Sequence, residues 1–161
     1  MVEFMQILFE DKNLKVVFSK GKTDYLLVAF SPMNFSAKNS EDFYAKSIII
    51  NNNINAISIT ALNNHWYPEK FMKRIIDSIS SITKQFKIVI TYGVSMGGYG
   101  AIKYSKAINT THIISMMPQW SINPNEIPEN RYLKEYNQFS EFLDDMSIKK
   151  EEVFRKIIYF L

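Results

Sequence analysis

The sequence has no cysteine and only two histidines, His65 and His112, among its 161 residues. A chain without cysteine has no disulfide framework, no thiolate zinc site and no cysteine nucleophile. Two histidines also exclude a histidine-rich metal centre. The formal net charge is only +3 and the charges form no block, which excludes a strongly charge-driven nucleic-acid binder as the leading interpretation. We therefore expect no metal, no cofactor and no nucleic-acid partner.

Long apolar runs and a targeting signal are missing as well. The purely apolar runs are a few residues long, as at residues 48–50, so the sequence predicts no membrane span. The first residues lack the basic stretch followed by an apolar stretch that marks a signal peptide. Core material is plentiful, because 47% of the residues are hydrophobic and 14% are aromatic. We expect a soluble, cytoplasmic protein with a single domain over residues 1–161.

Strand and helix patterns alternate along the chain. Apolar runs predict six strands, at residues 2–9, 15–19, 25–30, 55–62, 87–92 and 112–116. Helical spacing of apolar residues predicts helices over 68–86, from the glycines after residue 92 to about 108, and around 131–143. This alternation predicts an α/β fold whose sheet is mostly parallel, at least from the third strand onward.

One motif within this pattern carries chemistry. Residues 93–97 read Gly-Val-Ser-Met-Gly, a G-x-S-x-G sequence between a predicted strand and a predicted helix. That context is what a nucleophile elbow requires, since its serine sits on a strained turn that small residues two positions away must accommodate. The turn would lift the Ser95 hydroxyl above the carboxyl-terminal edge of the sheet, beside a helix N-terminus that favours developing negative charge. The alternative is a glycine-rich turn with an idle serine.

An elbow also supplies half of an oxyanion hole. The backbone N–H of the residue after the nucleophile, here Met96, is one donor, and the loop after the third strand supplies the other. That loop reads Ser31-Pro32-Met33. Because proline has no N–H, the second donor is Ser31 or Met33, and we favour Met33. The alternative is that these residues only form a turn that closes a buried strand.

Three segments together resemble a known family. They read N-H-W-Y at 64–67, Y-G-V-S-M-G-G-Y-G-A-I at 92–102 and M-P-Q-W-S-I-N-P at 117–124. They resemble the serine α/β-hydrolase superfamily, and within it small bacterial esterase-like hydrolases, some of them linked to modification of cell-surface polysaccharide or glycoprotein. The resemblance covers roughly residues 24–124. It implies a three-layer α/β sandwich, a small-molecule or glycan ester as substrate, and hydrolysis or acyl transfer through an acyl-Ser95 intermediate.

The sequence departs from this pattern at the catalytic base. The resemblance implies a triad in the chain order serine, acid, histidine, yet only His112 follows Ser95. His112 opens the sixth strand and so lies about 15 Å from the edge where that strand ends. His65 follows the fourth strand, whose end lies about 10 Å from Ser95, and is our candidate base.

The segment around His65 has other interpretations. Either it lines the pocket, where we place Trp66 and Tyr67 together with Gln119, or it packs on the sheet. Asp144 and Asp145 are candidates for the triad acid, although a solvated helix end explains them equally well.

The end of the sequence predicts either an amphipathic helix over 149–161 or the start of a seventh strand at 157–161. Hydrolases of this fold usually need more than 161 residues, so we expect a C-terminally truncated member with an open sheet edge near the sixth strand. Such an edge would allow self-association. Two functions therefore stay open: a serine esterase or acyltransferase, and a catalytically inactive remnant or interaction module.

Overall fold

A seven-stranded sheet forms the centre of the structure, a computed structural model that describes residues 4–128, 130–143, 145–153 and 158–160. The strands are β1 (Phe4–Glu10), β2 (Leu14–Lys20), β3 (Tyr25–Phe30), β4 (Asn55–Ala61), β5 (Ile88–Val94), β6 (His112–Met116) and β7 (Ile158–Phe160). The helices are α1 (Lys46–Asn51), α2 (Glu69–Thr83), α3 (Met96–Lys103) and α4 (Leu133–Phe139), with short 3₁₀ turns at Ser140–Phe142 and Lys150–Glu152.

The strand order across the sheet is β1-β2-β4-β3-β5-β6-β7. Strands β1, β2 and β4 pair antiparallel, whereas β4, β3, β5, β6 and β7 run parallel to one another. The predicted α/β fold with a mostly parallel sheet is confirmed, and β3 lies between β4 and β5. This order brings the carboxyl ends of β3, β5 and β6 side by side, where open α/β sheets bind their ligands.

Two clusters of buried residues lie on the two faces of the sheet. The larger one joins Leu26, Val28 and Phe30 of β3 to helices α2 and α3, and the smaller one joins Leu27 to Ile49 of α1. The division follows from strand geometry, because successive side chains point to opposite faces. The result is the three-layer arrangement, with α1 on one side of the sheet and α2 and α3 on the other.

Helix α2 illustrates why these sequences take these conformations. Pro68, with φ −54°, stands directly before it, and Glu69 places a negative charge in its first turn, where the helix dipole favours an anion. The buried residues Met72, Ile75 and Ile79 recur at spacings of three and four, so α2 lays one apolar face on the sheet.

The C-terminal part of the described chain forms a seventh strand. It thereby decides between the predicted C-terminal helix and the predicted seventh strand, and it corrects the expected open edge at the sixth strand. Residues 158–160 form β7, which pairs in parallel with residues 113–115 of β6. The seventh-strand alternative is therefore the one found, whereas residues 154–157 lie outside the described part of the chain. Because β7 takes up backbone hydrogen bonds of β6, the edge strand on this side of the sheet is β7 and not the sixth strand.

Candidate active site

Ser95 stands at the turn between β5 and α3, as the sequence predicts. Its backbone angles are φ 52° and ψ −119°, in a region that a residue with a side chain rarely adopts. Such strain persists only where the surrounding structure enforces it, and it concentrates at functional sites. The residue is partly exposed.

Two glycines make this turn sterically feasible. A Cβ on Gly93 would lie 2.1 Å from the carbonyl oxygen of Gly97, and a Cβ on Gly97 would lie 2.3 Å from the carbonyl oxygen of Phe30. Both obstacles are backbone atoms within the sheet or the helix, which cannot swing aside as a side chain does. The first glycine lets α3 fold back over β5, and the second lets it approach β3.

Hydrogen bonds tie Ser95 to the segment that follows β6. The N–H of Ser95 donates to the carbonyl oxygen of Met116 at 2.9 Å. Its Oγ donates to Oε1 of Gln119 at 3.3 Å, and Nε2 of Gln119 in turn donates to the carbonyl oxygen of Met117 at 3.2 Å. Gln119, expected to line the pocket, is thus the side chain that the structure brings to Ser95.

Met96 is the first residue of α3. The first N–H groups of a helix have no carbonyl partner within it, and they lie at the positive end of the helix dipole. The N–H of Met96 is therefore suited to stabilise negative charge that develops beside Ser95.

The loop after β3 holds the other candidate donors. The N–H of Ser31 donates to the carbonyl oxygen of Ile59 at 3.1 Å, so it is committed to the sheet. The hydroxyl of Ser31 accepts a hydrogen bond from the N–H of Ala61 at 2.8 Å. Because the Ser31 N–H is already hydrogen-bonded and Pro32 has no N–H, the N–H of Met33 is the remaining candidate in residues 31–33 for the second donor of an oxyanion hole.

His65 lies in the core and is completely buried. Its Nδ1 accepts a hydrogen bond from the N–H of Tyr67 at 3.0 Å, and its Nε2 contacts the carbonyl oxygen of Asn13 at 3.1 Å. Burial lowers the pKa of His65 to about 4, so the ring is neutral near pH 7. Since both ring nitrogens bond the backbone, these contacts do not favour His65 as the base of Ser95, and that role stays a prediction.

Comparison with known proteins adds evidence on the fold. No family model matches this chain, and no curated protein matches it. Solved structures do match it. The capsule O-acetyltransferase of Neisseria meningitidis serogroup A superposes with a TM-score of 0.57 at 15% identity, over 86% of this chain and 63% of that chain. FphF, a fluorophosphonate-binding serine hydrolase of Staphylococcus aureus, superposes with a TM-score of 0.52 at 10% identity, over 80% and 62%.

This chain has the α/β-hydrolase fold. The Glycosylation Associate Protein (Gap123) complex from Streptococcus agalactiae also matches, with a TM-score of 0.58 at 16% identity, over 86% of this chain and 29% of that chain. At such identities the likeness shows the fold alone. The chain spans less than two thirds of the length of each of these three proteins.

Within this hydrolase fold, Trp66 and Tyr67 belong to the core. Both side chains are completely buried. Of the two interpretations of this segment, packing on the sheet therefore applies to them, and they do not line an open pocket. The Trp66 ring packs on Tyr132 with centroids 4.9 Å apart, and the Tyr67 hydroxyl donates to the carbonyl oxygen of Ser31 at 2.7 Å. Both residues have positive φ, 51° and 50°, which turns the segment inward.

The remaining titratable candidates lie away from Ser95. His112 begins β6, at the end opposite the carboxyl edge, and its Nδ1 contacts the hydroxyl of Thr111 at 3.0 Å. Asp145 is exposed and pairs with Lys149, which lowers the pKa of this carboxyl. Asp144 lies outside the described residues. Among the described residues, no group of three or more histidines and acids could hold a metal ion.

The exposed apolar surface at the carboxyl edge is a feature that the sequence did not predict. Met117 is 69% exposed and Trp120 is 52% exposed in the loop after β6, and Leu62 is 41% exposed just after β4. A cavity of about 350 Å³ lies between the loops after β3 and β4; its lining includes Asn34, Phe35, Asn63, Asn64 and Gln138 and no charged residue.

In the part of the chain that the structure describes, none of the helices has the length and the apolar composition that a membrane span requires.

Proposed function

We propose that this chain is a serine esterase or acyltransferase in which Ser95 is the nucleophile. The observation that carries the proposal is the strained backbone of Ser95, at φ 52°, on a partly exposed turn between β5 and α3. Support comes from solved structures of the same fold, which include an O-acetyltransferase and a fluorophosphonate-binding serine hydrolase.

The proposed reaction has two steps. Oγ of Ser95 attacks the carbonyl carbon of an ester or thioester, the hydroxyl proton passes to solvent, and the carbonyl oxygen becomes an oxyanion. The N–H of Met96, with that of Met33, stabilises this oxyanion, and the tetrahedral intermediate then expels its alkoxide or thiolate as an alcohol or thiol. Water or an acceptor hydroxyl resolves the acyl-Ser95 intermediate.

The substrate class that we propose is a small-molecule or glycan ester. The lining of the cavity between the loops after β3 and β4 combines side-chain amides and the Ser36 hydroxyl with three apolar residues and has no charged residue, which suits a neutral ligand that carries hydroxyl groups. Two similar structures are named for a capsule and for glycosylation, and these names favour a glycan. We place this activity in the cytoplasm.

An inactive remnant or interaction module is the second candidate function. It is favoured by the hydrogen-bond partner of Ser95, which is the neutral amide of Gln119. An amide can orient a serine hydroxyl but cannot accept its proton near pH 7.

A fluorophosphonate probe with long incubation separates the two functions. We expect the wild-type chain to be labelled slowly and at Ser95, Ser95→Ala not to be labelled, and Ser81→Ala to behave as wild type. Ser81 is an exposed serine on α2, so it controls for nonspecific modification. Labelling that persists in Ser95→Ala would refute Ser95 as the nucleophile.

A further inference from the structure

The only side chain hydrogen-bonded to the Ser95 hydroxyl among the described residues is an amide. Oγ of Ser95 donates to Oε1 of Gln119 at 3.3 Å, while Nε2 of Gln119 donates to the carbonyl oxygen of Met117 at 3.2 Å. The second bond fixes which end of the amide faces the serine, because only the NH₂ group can donate to a carbonyl. Gln119 therefore presents an acceptor to the nucleophile.

Backbone geometry directs residue 119 toward Ser95. Met117 takes a φ of 47°, which turns the chain back at the end of β6, and Pro118 then restricts the next φ. The backbone N–H of Ser95 donates to the carbonyl oxygen of Met116 at 2.9 Å, which joins this turn to the serine. A side chain of similar reach at position 119 would meet the same hydroxyl.

In the described structure, the hydrogen bonds of the two histidines go to atoms other than the Ser95 hydroxyl. His65 has both nitrogens in backbone hydrogen bonds, and His112 lies at the opposite end of β6. The side-chain acceptor of the Ser95 hydroxyl hydrogen bond among the described residues is thus the amide oxygen of Gln119.

We propose that Gln119 is a positioning residue that occupies the place of the general base, so that Ser95 is oriented but not activated. This inference rests on the proposed function. Gln119 holds the hydroxyl hydrogen and leaves an oxygen lone pair to meet the carbonyl carbon, but the proton must pass to solvent. Without a base a serine hydroxyl is a weak nucleophile near pH 7, so the wild-type chain hydrolyses activated esters poorly. Supplying a base at position 119 activates Ser95.

The test measures the rate constant of fluorophosphonate labelling between pH 5 and 9 in the full chain. In this reaction the bond from Oγ to phosphorus forms, the phosphorus–fluorine bond breaks, fluoride leaves and the hydroxyl proton goes to the base. We expect Gln119→His to be labelled about 100-fold faster than wild type at pH 8, the lower range of what a general base contributes. The labelling rate of Gln119→His should rise with pH around the pKa of imidazole, about 6.5. The labelling rate of wild type should show no such rise around this pH.

Two further variants keep the test independent of how one substitution folds. In Gln119→Ala, added imidazole should raise the labelling rate in proportion to the imidazole concentration. In wild type the Gln119 side chain fills the space beside the Ser95 hydroxyl, so imidazole should change the labelling rate little. Gln119→His combined with Ser95→Ala should not be labelled. Thermal melts of each variant establish that it is folded.

The possible outcomes separate this inference from the proposed function. Ser95-specific labelling of wild type that is already fast and depends on an imidazole-like pKa would overturn the role of Gln119 and leave Ser95 as nucleophile. Folded Gln119→His and imidazole-treated Gln119→Ala that are labelled no faster than wild type would overturn it as well. No labelling of Ser95 in any folded variant would overturn both proposals.

Discussion

Two polar residues of the site differ in whether their side chains are available for chemistry. Ser95 is partly exposed at the carboxyl edge, and its hydroxyl has one amide partner. His65, the other candidate catalytic residue, lies inside the core, where Tyr67, Phe71 and Phe139 meet its ring edge-on at 5.3 to 6.0 Å. A histidine in these surroundings contributes to packing and to backbone hydrogen bonding, and its protonation would disrupt both.

We expect His65 to make folding stability depend on pH. Its pKa is lowered to about 4 in the folded chain, whereas a histidine in the unfolded chain titrates near 6.5. Between these values the unfolded chain takes up a proton that the folded chain does not, so the free energy of unfolding falls as the pH drops from about 6.5 to 4. The linked loss over this window is about 3 kcal/mol.

Urea unfolding of wild type, His65→Gln and His112→Gln at pH 4 to 7 measures this contribution. His65→Gln should be less stable at pH 7 and should show a correspondingly smaller loss toward pH 4. His112→Gln is the matched control, because it makes the same substitution at the other histidine, which is only partly buried. A His65→Gln curve parallel to that of wild type would contradict the assignment.

At the scale of helices and strands, the sequence predicts those elements whose conformation follows from a local pattern of residues. The apolar run of β3 and the glycines around Ser95 indicate a buried strand and a tight turn, and both are found. Four of the five glycines of the chain lie between residues 93 and 100, which is why this turn could be located. Helix α1 escaped prediction because its three consecutive isoleucines have no helical period, and a helix of six residues depends on packing more than on propensity.

The contacts of the site could not be predicted in the same way. Gln119 meets Ser95 across 24 residues, because β6 lies beside β5 and Met117 reverses the chain. The sequence leaves open whether the segment around His65 lines the pocket or packs on the sheet, and the positive φ of both Trp66 and Tyr67 accompanies the packed arrangement. Both outcomes depend on tertiary neighbours that no local pattern encodes.

We expect Gly97→Ala to destabilise the junction of α3 and β3 much more than Gly98→Ala. The Cβ at position 97 would lie 2.3 Å from the carbonyl oxygen of Phe30, so helix and strand would have to separate. At position 98 the nearest atom is Oγ of Ser115 at 2.7 Å, the end of a side chain that can rotate. Overpacking of this kind costs about 3 kcal/mol or more at position 97 and about 1 kcal/mol at position 98.

Thermal and urea unfolding of the two variants measures the difference. Gly98→Ala is the matched control, because it makes the same substitution one residue along the same helix. Equal losses of stability in the two variants would show that α3 does not depend on close approach to the backbone of β3.

At the scale of the whole molecule, the two edges of the sheet differ. β7 pairs with β6 over three residues, so the edge that it presents in the described chain is short. β1 is seven residues long and antiparallel to β2, and its large side chains Phe4, Met5 and Ile7 are 52%, 45% and 53% exposed. A long edge strand with exposed apolar side chains is a template for pairing with another chain. If the chain self-associates, β1 is therefore the better candidate edge.

We expect the chain to self-associate through β1 as its concentration rises, and Ile7→Lys to weaken this association by placing a charge on the edge strand. Charged side chains are a means by which natural sheets block edge pairing. The matched control is Ile48→Lys, because Ile48 is similarly exposed at 57% but lies on helix α1 and not on an edge strand. Sedimentation velocity over a hundredfold concentration range measures the effect. A wild-type chain that stays monomeric throughout, or equal effects of the two substitutions, would exclude β1 as the interface, since only a substitution on the pairing strand brings its charge beside the side chains of the partner strand.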